Sequence, residues 1–112
     1  MVIEIDRVLH ALADPTRREI VRGLAVGPLP AGRIAARFPV SGPAISRHLR
    51  VLREAGLVSE GRSPDDARVR VYRLKTEQVE RVGRFADELR QFARTQLSAF
   101  KEYAEGRKGD EG

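Results

Sequence analysis

The side chains best suited to chemistry lie in one short stretch, Ser41, Gly42, Pro43, Ala44, Ser46, Arg47, His48 and Arg50. Small residues let a backbone approach another surface closely, and the two serine hydroxyls can donate to phosphates or base edges. Arg47 has the fork geometry for a bidentate contact to guanine, which reads sequence. Arg50, one turn later, is placed for a phosphate. A second basic group, Arg62, Arg68 and Arg70, follows within twenty-odd residues. Thr16 and Arg17 sit where a helix start would hold another phosphate. This is the chemistry of duplex recognition.

Catalysis has no comparable support. The chain contains no Gly-rich phosphate loop and no cysteine. No carboxylate–histidine cluster stands out, so no enzyme is expected. Ser41 and Ser46 have only His48 as a base, and a helical wheel turns that histidine toward the core boundary. His48 is expected to pack there with a hydrogen bond, a phosphate being one partner open to it. The zero cysteine count excludes disulfides, iron–sulfur clusters and thiolate metal sites. No cofactor is implied.

The elements that must position these groups are legible from spacing. Ile5, Val8, Leu9 and Leu12 form one apolar face of a helix over 2–13. Asp14 is an N-cap candidate and Pro15 suits the first position of a second helix running to about Ala25. Gly27-Pro28-Leu29-Pro30 reads as a turn. A short helix over 31–38 stops before Pro39. Ser41 then caps a fourth helix that runs to Ala55, with Gly56 as a left-handed terminator. At about 100° per residue, Ile45, Leu49 and Leu52 face the core while Arg47, Arg50 and Glu54 face outward. Residues 57–62 and 67–74 are valine-rich strands joined by Ser63-Pro64-Asp65-Asp66, a hairpin with a basic tip. The pattern leaves open whether Val69 and Val71 or Tyr72 and Leu74 face inward.

From Thr76 to about Ala104 the chain has no proline. A helix of that length, about 40 Å, is too long for one face of so small a core. Val82, Phe85, Leu89, Phe92, Gln96, Ala99 and Tyr103 step by three and four along it, a heptad-like seam. The expected architecture is mainly α with a small β-hairpin: a winged helix-turn-helix, with helices flanking a two-stranded wing and a long C-terminal dimerisation helix. Residues 1–105 form that domain and 106–112 a flexible tail.

Composition agrees. The 112 residues carry a formal net charge of +5 and 33% charged side chains, a balance that favours a polyanionic partner. Met1–His10 contains Glu4 and Asp6 where a signal peptide would have an apolar core. No apolar run approaches the roughly 18–20 residues of a membrane span. A cytoplasmic protein without a membrane partner is expected.

Two stretches are familiar together. Leu9-His10-Ala11-Leu12-Ala13-Asp14-Pro15-Thr16-Arg17-Arg18-Glu19-Ile20 and the run from Ser41-Gly42-Pro43-Ala44-Ile45-Ser46-Arg47-His48-Leu49 to Gly56-Leu57-Val58 resemble the ArsR family of winged helix-turn-helix repressors. The resemblance covers residues 5–100. It implies a homodimer joined through the first and last helices, a recognition helix at 41–55, a wing at 58–74, and repression by blocking a promoter. Many members sense metals, through cysteines that this chain lacks or through Asp and His pairs on the last helix. Here that helix offers Asp87 and Glu88 but no histidine. The likeness is to the branch without the cysteine metal site, so no metal sensing is expected. The effector, the operator sequence and the regulated genes stay open.

A two-fold assembly would let two recognition helices read half-sites of a palindromic operator about 34 Å apart. The expected dimer interface is Ile5, Val8, Leu12, Val82, Phe85, Leu89, Phe92 and Ala99. The rival reading is a winged-helix protein–protein interaction module without sequence-specific DNA binding. Such a module has no need of Arg47, Arg50, Arg62, Arg68 and Arg70.

Overall fold

The computed structural model describes the backbone of residues 2–110 and the side chains of residues 5–106. The chain runs α1 (Val2–Leu12), α2 (Pro15–Val26), β1 (Leu29–Pro30), α3 (Ala31–Ala36), α4 (Gly42–Glu54), β2 (Val58–Arg62), β3 (Arg70–Leu74) and α5 (Thr76–Asp110). It divides into two units, Met1–Val82 and Gly83–Gly112.

The first unit is built on the caps the sequence announces. Asp14 accepts a hydrogen bond from the Arg17 backbone N–H at 3.0 Å and Pro15 opens α2. Ser41 Oγ accepts from the Ala44 N–H at 3.2 Å, starting α4. Gly56, at φ +76°, ends it. The Leu57 N–H reaches back to the Leu52 carbonyl at 3.0 Å and the Gly56 N–H to that of Arg53 at 3.0 Å. This double return satisfies carbonyls that a helix end otherwise leaves unpaired.

The core gathers Val8 and Ala11 of α1, Ile20 and Leu24 of α2, Ile34 of α3, Ile45, Leu49 and Leu52 of α4, then Leu57, Val58 and Tyr72. Ile45, Leu49 and Leu52 are the three residues that the helical wheel turns inward. Their burial fixes the opposite face of α4 as the solvent face.

Two expectations need correction. Leu29–Pro30 is not only a turn: it pairs antiparallel with β3, Leu29 opposite Tyr72 and Pro30 opposite Val71. The sheet therefore has three strands in the order β1-β3-β2. Proline lacks a ladder N–H, which suits the edge position it occupies. Because β3 is central, Val71 and Tyr72 are both buried although they point to opposite faces, with Tyr72 joining the main core. The hairpin is also shorter than expected. The Val69 N–H bonds to the Asp66 carbonyl and the Ser63 N–H to the Val69 carbonyl, so the turn takes up residues assigned to the strand.

The second unit is the remainder of α5. Its helix runs to Asp110, past the expected end near Ala104 and into the stretch 106–112 read from sequence as a tail. Residues 111–112 of that expected tail lie outside the described residues. Leu89, Phe92, Leu97, Phe100 and Tyr103 are exposed on it.

Candidate nucleic-acid interface

α4 divides its surface sharply. Ile45, Leu49 and Leu52 are buried, while Ser41, Gly42, Pro43, Ser46, Arg47 and Arg50 are exposed and Ala44 is half-buried. The exposed N-terminal half is thus small or hydroxyl-bearing apart from its two arginines. One hydroxyl is partly committed, since Ser41 Oγ serves as the helix cap.

An open groove of about 400 Å³ brings part of this face together with the hairpin. Gly42, Ser46, Arg50 and Arg53 line it from α4, and Arg70 and Tyr72 from β3. Of the residues singled out from sequence, Gly42, Ser46, Arg50 and Arg70 therefore share one surface. Arg62 and Arg68 belong to the outer part of the hairpin and are exposed. Arg62 lies directly opposite Arg70 in the β2–β3 register.

Arg68 has a local partner. Its Nε and Nη2 donate to the two Asp66 carboxylate oxygens at 3.1 and 3.2 Å. The Arg68 side chain and its backbone N–H together hold the Asp66 carboxyl below the usual carboxylate value. Arg68 stays 91% exposed, so solvent screens the pair.

Arg17 differs most from expectation. It is not a free guanidinium at the start of α2. Its Nε donates to the Ala11 carbonyl at 2.6 Å and its Nη2 to the His10 carbonyl at 3.2 Å, closing the C-terminal end of α1. Its Nη1 lies 3.3 Å from His48 Nδ1. Arg18 does similar work, donating to the Leu12 and Ala13 carbonyls at 2.9 and 3.1 Å. These arginines brace α1 against α2, and the brace takes up three of the five guanidinium N–H donors of Arg17. Thr16 is half-buried beside it. His48 is also half-buried and its Nδ1 lies 4.0 Å from Asp14 Oδ2. Asp14 titrates below its usual value, chiefly because it accepts the Arg17 backbone N–H; desolvation opposes this, and the His48 and Arg17 charges add to the lowering.

Sequence reasoning missed Arg53 and Glu60. Glu60 on β2 accepts from Arg53 Nη1 of α4 and sits 4.0 Å from Arg70 Nη1. Nothing in the residue order pairs a helix-end arginine with a strand carboxylate seven positions on; only the fold brings them together.

Among the expected interface residues, Val8 requires correction. It is fully buried within its own chain's core, so it has no surface to give a partner. Leu12 and Val82 pack partly against that same core, and Ile5 is half-buried. Phe85, Leu89, Phe92 and Ala99 are exposed.

A second open cleft, about 650 Å³, lies between α1 and α4 and is lined by Asp6, Arg7, His10, Val51, Glu54 and Ala55. Among the described residues no three His, Asp or Glu side chains gather as a metal site. Nor is any helix among them long and apolar enough to cross a membrane.

Comparison with known proteins places the arrangement. A family described as "Helix-turn-helix domain" matches residues 12–60, which span α2 through β2. The HTH-type transcriptional regulator Rv2034 of Mycobacterium tuberculosis is 54% identical over 69 residues, 62% of each chain. The transcriptional repressor SdpR of Bacillus subtilis is 43% identical over 58 residues, 52% of this chain and 64% of that protein. The matched segment thus spans less than two thirds of either relative. The solved ArsR-like transcriptional regulator from Rhodococcus sp. RHA1 is matched over 93% of both chains, at 32% identity and a TM-score of 0.75. These relatives are transcriptional regulators rather than enzymes. Matched over nearly its whole length to an ArsR-like regulator at 32% identity, this chain belongs to the ArsR family of winged helix-turn-helix transcriptional regulators.

Proposed function

We propose that the chain is a DNA-binding repressor that acts as a homodimer on a palindromic operator. The supporting observation is the division of α4. One face is buried as Ile45, Leu49 and Leu52, and the other offers small residues with Arg47 and Arg50 outward. A helix of that kind can enter a major groove N-terminus first, with Gly42, Pro43, Ala44 and Ser46 allowing close approach. Arg47 then reads a base edge and Arg50 holds a phosphate. Arg62 and Arg68 of the hairpin lie on the adjacent minor groove or backbone, where narrow, electronegative grooves attract arginine. His48 lends α4 its position through Arg17, and its other ring nitrogen is the one available to the duplex. Arg17 braces α1 and α4 with three of its five N–H donors, and Thr16 and Arg17 at the start of α2 remain placed for a phosphate.

The dimer rests on α5. Phe85, Leu89, Phe92 and Ala99 fall on one side of that helix at spacings of four, three and seven. Phe92 is 64% exposed in the single chain. Burying aromatic side chains contributes about 1.5–3 kcal/mol each before ordering costs. No metal effector is proposed, and an organic effector is left unassigned.

The test is a mobility shift of the purified protein with the DNA upstream of its own gene, at rising salt. Sequence-selective binding with a steep salt slope is expected. Absence of binding to any duplex would leave a protein-docking role for the same fold.

A further inference from the structure

We propose that Glu60 restrains the DNA face: it holds the charge of Arg53 and Arg70 against the protein and so limits sequence-independent phosphate binding. The inference rests on the DNA-binding reading above and deepens it.

The geometry is specific. Glu60 Oε2 accepts from Arg53 Nη1, and Oε1 lies 4.0 Å from Arg70 Nη1. The carboxylate is 21% exposed, less than half as exposed as the Arg53 and Arg70 side chains at 47% and 50%. Side chains two apart on a strand share a face, so Glu60 points to the same side as Arg62, which lies opposite Arg70. Like charges directly opposite on a sheet are unfavourable, and a carboxylate one pair further in relieves them.

The placement matters for binding. Arg50, Arg53 and Arg70 line the groove between α4 and β3. Left free, these guanidinia would attract any phosphate backbone, whatever the sequence. A carboxylate on such a face weakens phosphate attraction, and a regulator gains selectivity because that loss is larger on wrong sites, where phosphate attraction supplies nearly all of the binding, than on the right one. Glu60 thereby separates two groups of arginine. Arg47, Arg50 and Arg62 face solvent with no carboxylate partner among the described residues, whereas Arg53 and Arg70 brace the hairpin against α4.

Glu60→Gln tests this, since it keeps the shape and removes the charge. Two fluorescent duplexes of about 30 bp are titrated across a salt series: one selected by the wild-type protein from a random pool, the other of scrambled sequence. The variant should bind the scrambled duplex about three- to tenfold more tightly. Its log–log salt slope should steepen by about one to two, and its selectivity ratio should fall. An unchanged or shallower slope with weaker binding to both duplexes would show Glu60 to be a clamp only, and overturns the proposal. The double variant Glu60→Gln/Arg70→Gln gives a second reading, with helical circular dichroism confirming that each variant is folded. Removing the released Arg70 charge should take back about one unit of the slope gained by Glu60→Gln, and a double variant whose slope equals that of Glu60→Gln overturns the proposal. Wild-type protein that binds neither duplex overturns this inference and the DNA-binding reading together. Wild-type binding with an unaltered Glu60→Gln slope overturns this inference alone.

Discussion

Arg17 Nη1 lies 3.3 Å from His48 Nδ1, joining the first turn of α2 to the middle of α4. A guanidinium only donates, so with a neutral ring this contact has Nδ1 accepting and the ring proton on Nε2. The same arginine closes α1 through the Ala11 and His10 carbonyls. Arg17→Met should strand three acceptors at once. It is expected to cost about 1–3 kcal/mol of stability, read by urea denaturation. It should also remove the preference of His48 for the Nε2–H tautomer, read from imidazole nitrogen shifts. Unchanged stability would mean the brace is dispensable.

Asp14 supplies a pH dependence of known sign. Its folded-state value lies below the ordinary 3.8, chiefly because it accepts the Arg17 N–H. A group with a depressed folded value contributes stability that is present above its unfolded value and lost as pH falls toward the folded one. The loss therefore belongs below about pH 4. Asp14→Asn retains an acceptor for the cap but does not titrate, so its unfolding free energy should fall less steeply on acidification from pH 4 to 3. Asp14→Ala should cost about 1 kcal/mol at neutral pH through loss of the cap itself. Parallel acid profiles for wild type and Asp14→Asn would refute the assignment.

Gly56 is constrained twice. Its φ of +76° lies in the left-handed region, and an added Cβ would meet Gln78 Cγ of α5 at 3.3 Å. The conformation alone costs a non-glycine residue about 1–2 kcal/mol. Gly56→Ala should therefore lower stability by at least about 1 kcal/mol in thermal or urea unfolding. A neutral result would mean that the α4 terminator can relax.

Much of this framework is readable in the residues, and what escapes has a physical reason. Ser41, Pro43 and Gly56 mark both ends of α4 because caps and terminators act locally. The inward face of α4 follows from the spacing of Ile45, Leu49 and Leu52. β1 escapes because two residues, one of them Pro30, carry no alternation; only pairing with β3 makes them a strand. The role of Arg17 escapes because a guanidinium at a helix start looks the same in sequence whether it meets a phosphate or the carbonyls of the preceding helix. Val8 shares its periodic face with Leu12, and periodicity cannot separate a chain's own core from a partner's.

Arg47 and Arg62 should fail differently if α4 reads bases while the hairpin holds the backbone. Arg47→Ala is expected to cost about 1–3 kcal/mol on the selected duplex and to relax sequence preference at one position. Arg62→Ala should weaken selected and scrambled duplexes alike and reduce the salt slope by about one. Competition titrations with single-base variants distinguish the two patterns. Equal losses on every duplex from both substitutions would remove the division of labour.

Phe92 offers the cleanest test of the two-fold assembly. It is 64% exposed in the single chain, so Phe92→Asp removes no internal packing of comparable size. A charge there matters only if another surface covers it. Burying an unpaired carboxylate is costly enough to oppose association strongly. Sedimentation should show a monomer with wild-type helical circular dichroism, and operator affinity should drop by at least about tenfold because one recognition helix reads only half a site. Leu52→Ala makes the contrasting control. Leu52 is fully buried, and its truncation should cost about 2–5 kcal/mol of fold stability. A Phe92→Asp protein that remains dimeric would place the interface elsewhere on the molecule.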